Sequence, residues 1–525
     1  MNILNYLKSI DYIVIVLYFI ILLSIGIIVS FFKKNKIKES LFLADRSLSW
    51  YSIGLNMWGT NVGPSMLIAS ASIGYTTGIV AGNFGWYAFV FIFLLAYVFA
   101  PKYLEAKVTT LPEFMGKKFG NKTRTYLAWY SIITILISWL TLTLFAGGVL
   151  IRQISGLPMS TSVIILVIIS TFFTIAGGLK TIAYTNVFQM IFLIIVSALI
   201  TLIGLNKVGG IMQLYNNTPS EYWNLFRPLN DSNYPWIAII LGYPVLGIWF
   251  WCTDQSMVQS VLAAKNIKQG QLGTNFTGWL KILDVFLFII PGIICYVLYP
   301  NLKNPDEAYL TLVIKLLPQG MIGLVIATLI AALISTIDSA LNSLSTVFTI
   351  DIIYKNKSVE THKIIKTGRI ITLFGAIISI FLTIAIDNIQ SLNLFDKFQA
   401  VLSFMAPPMS VIFLLGVLWK KTTSKAINLI LIYGTLLSLF TGCLYLWIFP
   451  TQKYTFWPHF LLISFYLFII LSVTLIIISK LDRNGQVSEK ILNTKIIFTY
   501  SKKALIKWIF LIVVMIILYF IFNGH

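Results

Sequence analysis

Charge is scarce in this 525-residue chain: Asp, Glu, Lys and Arg together make up 11% of it, and histidine and cysteine occur three times each. An ordinary soluble domain carries about 25% charged residues, so that class is excluded. His362, His459 and His525 each stand isolated, without a catalytic partner nearby in sequence, which argues against an enzyme. Cys252, Cys295 and Cys443 lie in apolar stretches without metal-type spacing and imply no disulfide framework. Long polar segments are missing as well. The longest non-apolar connections, Asn206–Pro235 and Lys480–Lys503, are too short to fold alone, which leaves no output domain for a sensor.

What the chain has instead is apolar length. Hydrophobic residues make up 58% of it and its mean hydropathy is +0.88, the composition of an all-α polytopic membrane protein. The first apolar run, Tyr12–Phe32, is long enough to span a bilayer and ends in KKNKIK without a small-residue cleavage site, so it is an anchor helix rather than a signal peptide. Hydropathy predicts about 14 transmembrane helices, the last at Leu505–Phe522. The net charge of +20 does not call for a nucleic-acid partner. Of the 38 Lys and Arg residues, 29 fall in alternate loops, which places those loops in the cytoplasm and both termini outside, extracellular or periplasmic, in a plasma or inner membrane.

Two spans carry interruptions. In Asn56–Pro64 (NMWGTNVGP) and Gly242–Thr253 (GYPVLGIWFWCT), Gly and Pro weaken a helix where polar side chains need partners, and a helix broken at midplane exposes carbonyls to ions. The second interruption falls five spans after the first, the spacing of an inverted repeat around a central site. On the expected span Leu310–Phe348, Ala332, Ser335, Thr336 and Ser339 share one helix face. Two readings of that face stand: a small-residue packing stripe, or an oxygen set for a hard cation.

The strings FLADRSLSWYSIG, TTLPEFMGKKFG, TIAGGLKTIAYTNVFQ, WFWCTDQSMVQSVLAAKN, LISTIDSALNSLSTVFTIDI and LLGVLWKKTTSKA resemble the sodium/solute symporter family, in its sodium/glucose cotransporter-like branch. The resemblance runs from about Leu41 to Lys425 and implies a LeuT-type five-plus-five inverted repeat. Residues 50–205 would be the first repeat and 236–419 the second. Residues 1–49 would add an extra N-terminal helix and a cytoplasmic loop, 206–235 an extracellular loop, and 420–525 three further helices with a cytoplasmic loop.

The resemblance also implies site residues. Sodium, as the coupling ion, would meet the carbonyls of Gly59, Val62 and Ala332 and the hydroxyls of Ser335 and Thr336; no organic cofactor and no obligatory protein partner is implied. Relatives that carry a second cation site have an acid where this chain has Asn186. Asp338, beside Ser339, either supplies the displaced carboxylate, as cation or proton ligand, or pairs with a nearby cation. The solute positions correspond to Asn61, Phe84, Phe250, Trp251, Lys281 and Gln399. Gly85 replaces an acid of the sugar carriers, and Met66 a polar residue. That loss of an acceptor would cost about 1.5–3 kcal/mol of recognition and would give the pocket room. Lys281 is open to two roles, solute contact or an ion pair with Asp284 one helical turn on.

The expected function is therefore sodium-coupled symport of a small polar solute, a sugar or polyol, by alternating access. Two alternatives remain: symport of a carboxylate or other organic solute, with Lys281 as counter-charge, and a solute-gated channel or membrane sensor.

Overall fold

The computed structural model describes residues 6–31, 43–231, 233–357, 359–387, 394–450, 453–454, 456–482 and 502–523. Residues 33–42, Ser358 and 483–501 of the expected basic loops lie outside the described residues, as do the side chains of 172–183, among them Lys180.

The described regular structure is helical throughout. That follows from the solvent, because a helix pairs its backbone groups within its own segment and leaves none bare to lipid. Twelve helical stretches among the described residues are at least 18 residues long and apolar enough to cross a bilayer. The difference from fourteen has a local origin. The two segments expected at Tyr51–Tyr75 and Ile79–Ala100 follow one another without a loop, separated by a tight turn at Gly78–Ala81, and count as one stretch, Met66–Glu105; the described part of another, Met159–Thr171, is shorter. The crossings expected over Thr161–Ala176 and Thr181–Leu205 both lie in one helix, Met159–Val208.

Ten helices matter for the site: α1 (Ser9–Phe31), α2 (Trp50–Asn61), α3 (Pro64–Thr77), α4 (Asn121–Thr134), α5 (Met159–Val208), α6 (Trp236–Gly247), α7 (Gln255–Leu262), α8 (Ile267–Asp284), α9 (Met321–Val347) and α10 (Leu394–Leu418). Helices α2, α5, α8 and α9 form the centre: α2 packs on α8, α5 and α9, and α5 packs on α9.

The first interruption lies where the sequence places it. Helix α2 stops at Asn61, Val62 turns off with φ −96° and ψ 71°, Gly63 is extended, and Pro64 opens α3, where its missing N–H costs nothing. The second lies later than expected. Helix α6 runs straight through Gly242 and Pro244, widens by one residue per turn over Ile248–Thr253, and breaks only at Asp254. The glycines serve packing instead: a Cβ on Gly242 would lie 2.2 Å from the Leu461 carbonyl oxygen, and one on Gly247 2.3 Å from the Phe91 ring. Asp254 sets the break because its carboxylate caps α7, accepting from the backbone N–H groups of Ser256 (2.9 Å) and Met257 (3.3 Å).

A third break corrects the expected continuous span Leu310–Phe348. A helix over Ala308–Leu316 ends before Pro318, the chain turns through Gly320 at φ +84°, and α9 begins at Met321. The new end is capped from the extra N-terminal helix. Asp11 of α1 is fully buried, and its Oδ1 accepts from the N–H groups of Gly320 (2.7 Å) and Gly323 (2.8 Å). At the other end of α9, Arg124 of α4 donates from Nε to the buried Asp351 carboxylate at 2.6 Å and from Nη2 to the Ile350 carbonyl at 3.2 Å.

The connection 206–235 is tied down. Tyr222 donates from its hydroxyl to the carbonyls of Tyr75 (2.9 Å) and Thr76 (3.0 Å), and Arg227 to that of Thr77 (2.6 Å). This closes the C-terminal end of α3 against the segment where Gly78, at φ +76°, leaves no space for a Cβ beside Tyr222.

Replacing Asp11 with Ala leaves two N–H groups of α9 without an acceptor, at a cost of about 1–3 kcal/mol. Thermal unfolding in detergent should therefore show a lower Tm for Asp11→Ala, and a smaller drop for Asp11→Asn, which retains Oδ1. Equal Tm values for Asp11→Ala and the unaltered protein would refute the capping role.

Candidate functional site

All six expected solute residues, Asn61, Phe84, Phe250, Trp251, Lys281 and Gln399, line one cavity beside the break after α2. They arrive from separate elements. Asn61 is the last residue of α2, Phe250 and Trp251 belong to the widened turn after α6, Lys281 sits in the last turn of α8, and Gln399 lies on α10. The break after α2 places Asn61, the widened turn places Phe250 and Trp251, and Lys281 and Gln399 come from within continuous helical stretches.

Lys281 is the polar centre. Among the described residues lining the cavity it is the one that carries a charge. Its Nζ donates to Asn61 Oδ1 at 2.6 Å and to the Asp284 carboxylate, and lies 5.5 Å from the centre of the Trp251 ring. The second carboxylate oxygen of Asp284 accepts from Trp58 Nε1 at 2.8 Å. Of the two roles weighed for Lys281, the ion pair with Asp284 is present, and the side chain also lines the cavity. The pair is buried, so separating it would strand a charge in an apolar bundle, at several kcal/mol.

The walls are aromatic. Phe250 stacks on Trp139 (centroids 5.3 Å apart, 29° between planes) and stands nearly perpendicular to Trp251 (5.2 Å, 73°). Phe84 meets the Tyr243 ring edge-on at 5.1 Å, while the Tyr243 hydroxyl donates to the Phe84 carbonyl at 2.6 Å. Such walls suit a ring with apolar faces and polar edges.

The room expected from Gly85 is occupied. A Cβ there would lie 3.3 Å from both Cβ and Oδ2 of Asp284, so the space opposite Gly85 holds that carboxylate and adds nothing to the cavity. Met66 does line the cavity.

The expected sodium residues gather at the same break. Gly59 and Val62 flank the end of α2, and the Gly59 Cα is pressed against Met190 of α5, where a Cβ would fall 2.8 Å from Sδ. On α9 the Thr336 hydroxyl donates to the Ala332 carbonyl at 3.1 Å. Ser335 donates to Asn186 Oδ1, and Asn186 in turn donates to Asn56 Oδ1 at 2.6 Å. This chain of bonds joins α9, α5 and α2. It also orients the Ser335 hydroxyl, whose proton is directed to Asn186 so that its oxygen lone pairs are left for a cation. Thr336 lines the solute cavity too, so the two candidate sites share a boundary. For the second cation site, the described contacts of Asn186 lead to Asn56 and Ser335; Asp338 and Ser339 are buried on α9.

Several cavity residues gave no sequence signal. Ser138, Trp139 and Thr143 lie in an unbroken apolar span whose widened turn over Ile135–Thr141 has no Gly or Pro to announce it. Asn56, an amide in mid-helix in the largely apolar α2, was the readable hint of the Asn186 link.

The fold, with the family match that follows, defines a class, the LeuT-type sodium-coupled secondary transporter built on a five-plus-five inverted repeat, which is not an enzyme class. Residues 41–434 match the family model described as "Sodium:solute symporter family", and the chain belongs to that family. Among curated relatives, "Sodium/glucose cotransporter 1" of Oryctolagus cuniculus is 31% identical over 470 residues, covering 82% of this chain and 71% of the relative. "Sodium/glucose cotransporter 4" of Danio rerio is 33% identical over 455 residues (80% and 69%), and "Sodium/myo-inositol cotransporter" of Homo sapiens 32% over 465 residues (80% and 65%). Among solved structures, a Na+-coupled sialic acid symporter in a substrate-bound outward-open state superposes with a TM-score of 0.77 at 20% identity, covering 91% of this chain and 99% of that one. This likeness establishes the fold.

The Asn186 link yields a prediction on coupling. Asn186→Ala removes the acceptor that takes the Ser335 proton and holds its oxygen ready for the ion, so the hydroxyl must be ordered on binding and the sodium concentration for half-maximal uptake should rise by about tenfold, equivalent to roughly 1.4 kcal/mol. Ser335→Ala should raise it similarly. Sodium dependence unchanged in both variants, measured in proteoliposomes, would remove these residues from the site.

Proposed function

We propose that the protein imports a neutral, hydroxyl-rich solute, a sugar or polyol, together with sodium by alternating access. One observation carries this reading: the charged side chain lining the cavity is already neutralised by Asp284. A carboxylate solute would need an uncompensated cation. A neutral ring needs donors and acceptors on aromatic walls, which Asn61, Gln399, Lys281 and Trp251 supply. The names of the relatives, sodium/glucose and sodium/myo-inositol cotransporters, support the same solute class.

In this reading sodium is held by the carbonyls of Gly59, Val62 and Ala332 and the hydroxyls of Ser335 and Thr336. A dehydrated hard cation takes several oxygens, and neutral ones suffice for a single charge. Asp338 and Ser339 remain the candidates for a second cation or a proton. The repeats comprise residues 50–205 and 236–419, and the protein resides in the cell membrane with both termini outside.

Purified protein should be stabilised against heat by neutral hexoses or inositols in sodium and not in potassium. Stabilisation of the unaltered protein by carboxylates in preference to neutral sugars would overturn the proposal. The orientation is tested with single cysteines in a background lacking Cys443. Asn217→Cys should react with an impermeant maleimide added to intact cells, and Lys363→Cys only after permeabilisation. The reverse pattern would invert the topology.

A further inference from the structure

Asp284 lies behind the solute cavity rather than in its wall. One oxygen of its carboxylate is taken by Lys281, the other by Trp58 Nε1 at 2.8 Å, and the side chain is 9% exposed. Lys281 has three donors. Asp284 and Asn61 each take a bond from it, while the ammonium borders the cavity and lies over the Trp251 face. Asp284 is therefore the counter-charge of the group that a solute meets.

Its place depends on a missing side chain. A Cβ at position 85 would approach Asp284 Cβ and Oδ2 to 3.3 Å, tighter than ordinary contact. A longer side chain at 85 and a carboxylate at 284 compete for one volume, and a second acid there would add like-charge repulsion in a medium of low dielectric. Gly85 leaves that volume to Asp284.

We propose that Asp284 sets the charge class of the solute: by neutralising Lys281 it makes the cavity select uncharged rings, and Gly85 is the space that admits it. Asp284 is a positioning residue, acting on the solute through Lys281. This inference rests on the reading of the cavity as the solute site and specifies which solutes that site rejects. It implies that cavity charge can be changed in either direction without altering the aromatic walls. Asp284→Asn keeps the shape and an acceptor but leaves the ammonium uncompensated, which favours an anionic ring. Lys281→Gln leaves the carboxylate uncompensated, which favours a cationic ring. Removing both charges restores neutrality.

The test uses the full chain and three probes with one ring framework, D-glucose, D-glucuronate and D-glucosamine, in sodium-dependent thermal-shift titrations, with the sodium-induced shift itself as the check of folding. Asp284→Asn should raise the preference for glucuronate over glucose on the order of tenfold, and Lys281→Gln should do the same for glucosamine. The variant Lys281→Gln/Asp284→Asn should return both ratios toward those of the unaltered protein, which a purely structural role for the pair would not produce. If one single variant loses the sodium-induced shift, the other decides, because the two predict selectivity of opposite sign. Folded variants with unchanged ratios would overturn the proposal. The sugar reading fails differently: the unaltered protein would not respond to neutral rings, while Asp284→Asn would still gain its response to the anion.

Discussion

The cost of an unpaired polar group in a hydrocarbon medium governs this molecule, and the Lys281–Asp284 pair is where that cost is concentrated. A lone ammonium or a lone carboxylate at this depth would be expelled or neutralised; together, with Asn61 and Trp58, they satisfy most of one another's hydrogen-bonding capacity. The consequence is architectural. Asn61 and Trp58 belong to α2 and the pair to α8, so meeting the polar requirement fixes the end of the broken helix against its neighbour. The same requirement acts at the N-terminal end of α9, where Asp11 takes two N–H groups that a lipid-exposed helix end would leave bare.

Much of the fold was legible because membrane helices announce themselves by length and apolarity, and lipid leaves them few alternatives. The Asn56–Pro64 break was readable for a local reason, since Gly63 and Pro64 act on their own backbone. Gly242 looked alike in sequence but serves a tertiary purpose, the approach of the Leu461 backbone, and the break belongs to Asp254 and its cap. The division of Leu310–Phe348 was missed because Pro318 and Gly320 were submerged in an apolar average. A hydropathy window cannot separate a turn of a few residues from the helices around it.

The convergence of the candidate solute residues on one cavity was legible, and its wiring less so. Six residues scattered over more than 300 positions converge on one cavity, as the family pattern implied. Their hydrogen-bond partners were not readable, because these depend on which side chain occupies a space vacated elsewhere. Gly85 is the instance: in sequence it is a lost acceptor and added room, whereas in space it is the clearance for Asp284, one helix away. Pairwise compensation between distant positions is invisible to a reading that takes each position in turn.

In the proposed reading, coupling between ion and solute runs through the α2 that both candidate sites share. Its last turn supplies Asn61 to the cavity, and the Gly59 and Val62 carbonyls of the proposed sodium site flank the same break. Thr336 of α9 borders both sites, and the Asn56–Asn186–Ser335 bonds connect α2 to α9 through α5. An ion that draws the carbonyls at the break toward the α9 hydroxyls restricts Asn61 and, through it, Lys281. A solute bonded to Asn61 restricts the break for the ion in the same way. Each ligand then lowers the ordering cost of the other, and linkage requires the two effects to be equal. On that reading, helix breakage in α2 is the element through which two adjacent candidate sites, built from different side chains, would act on one another.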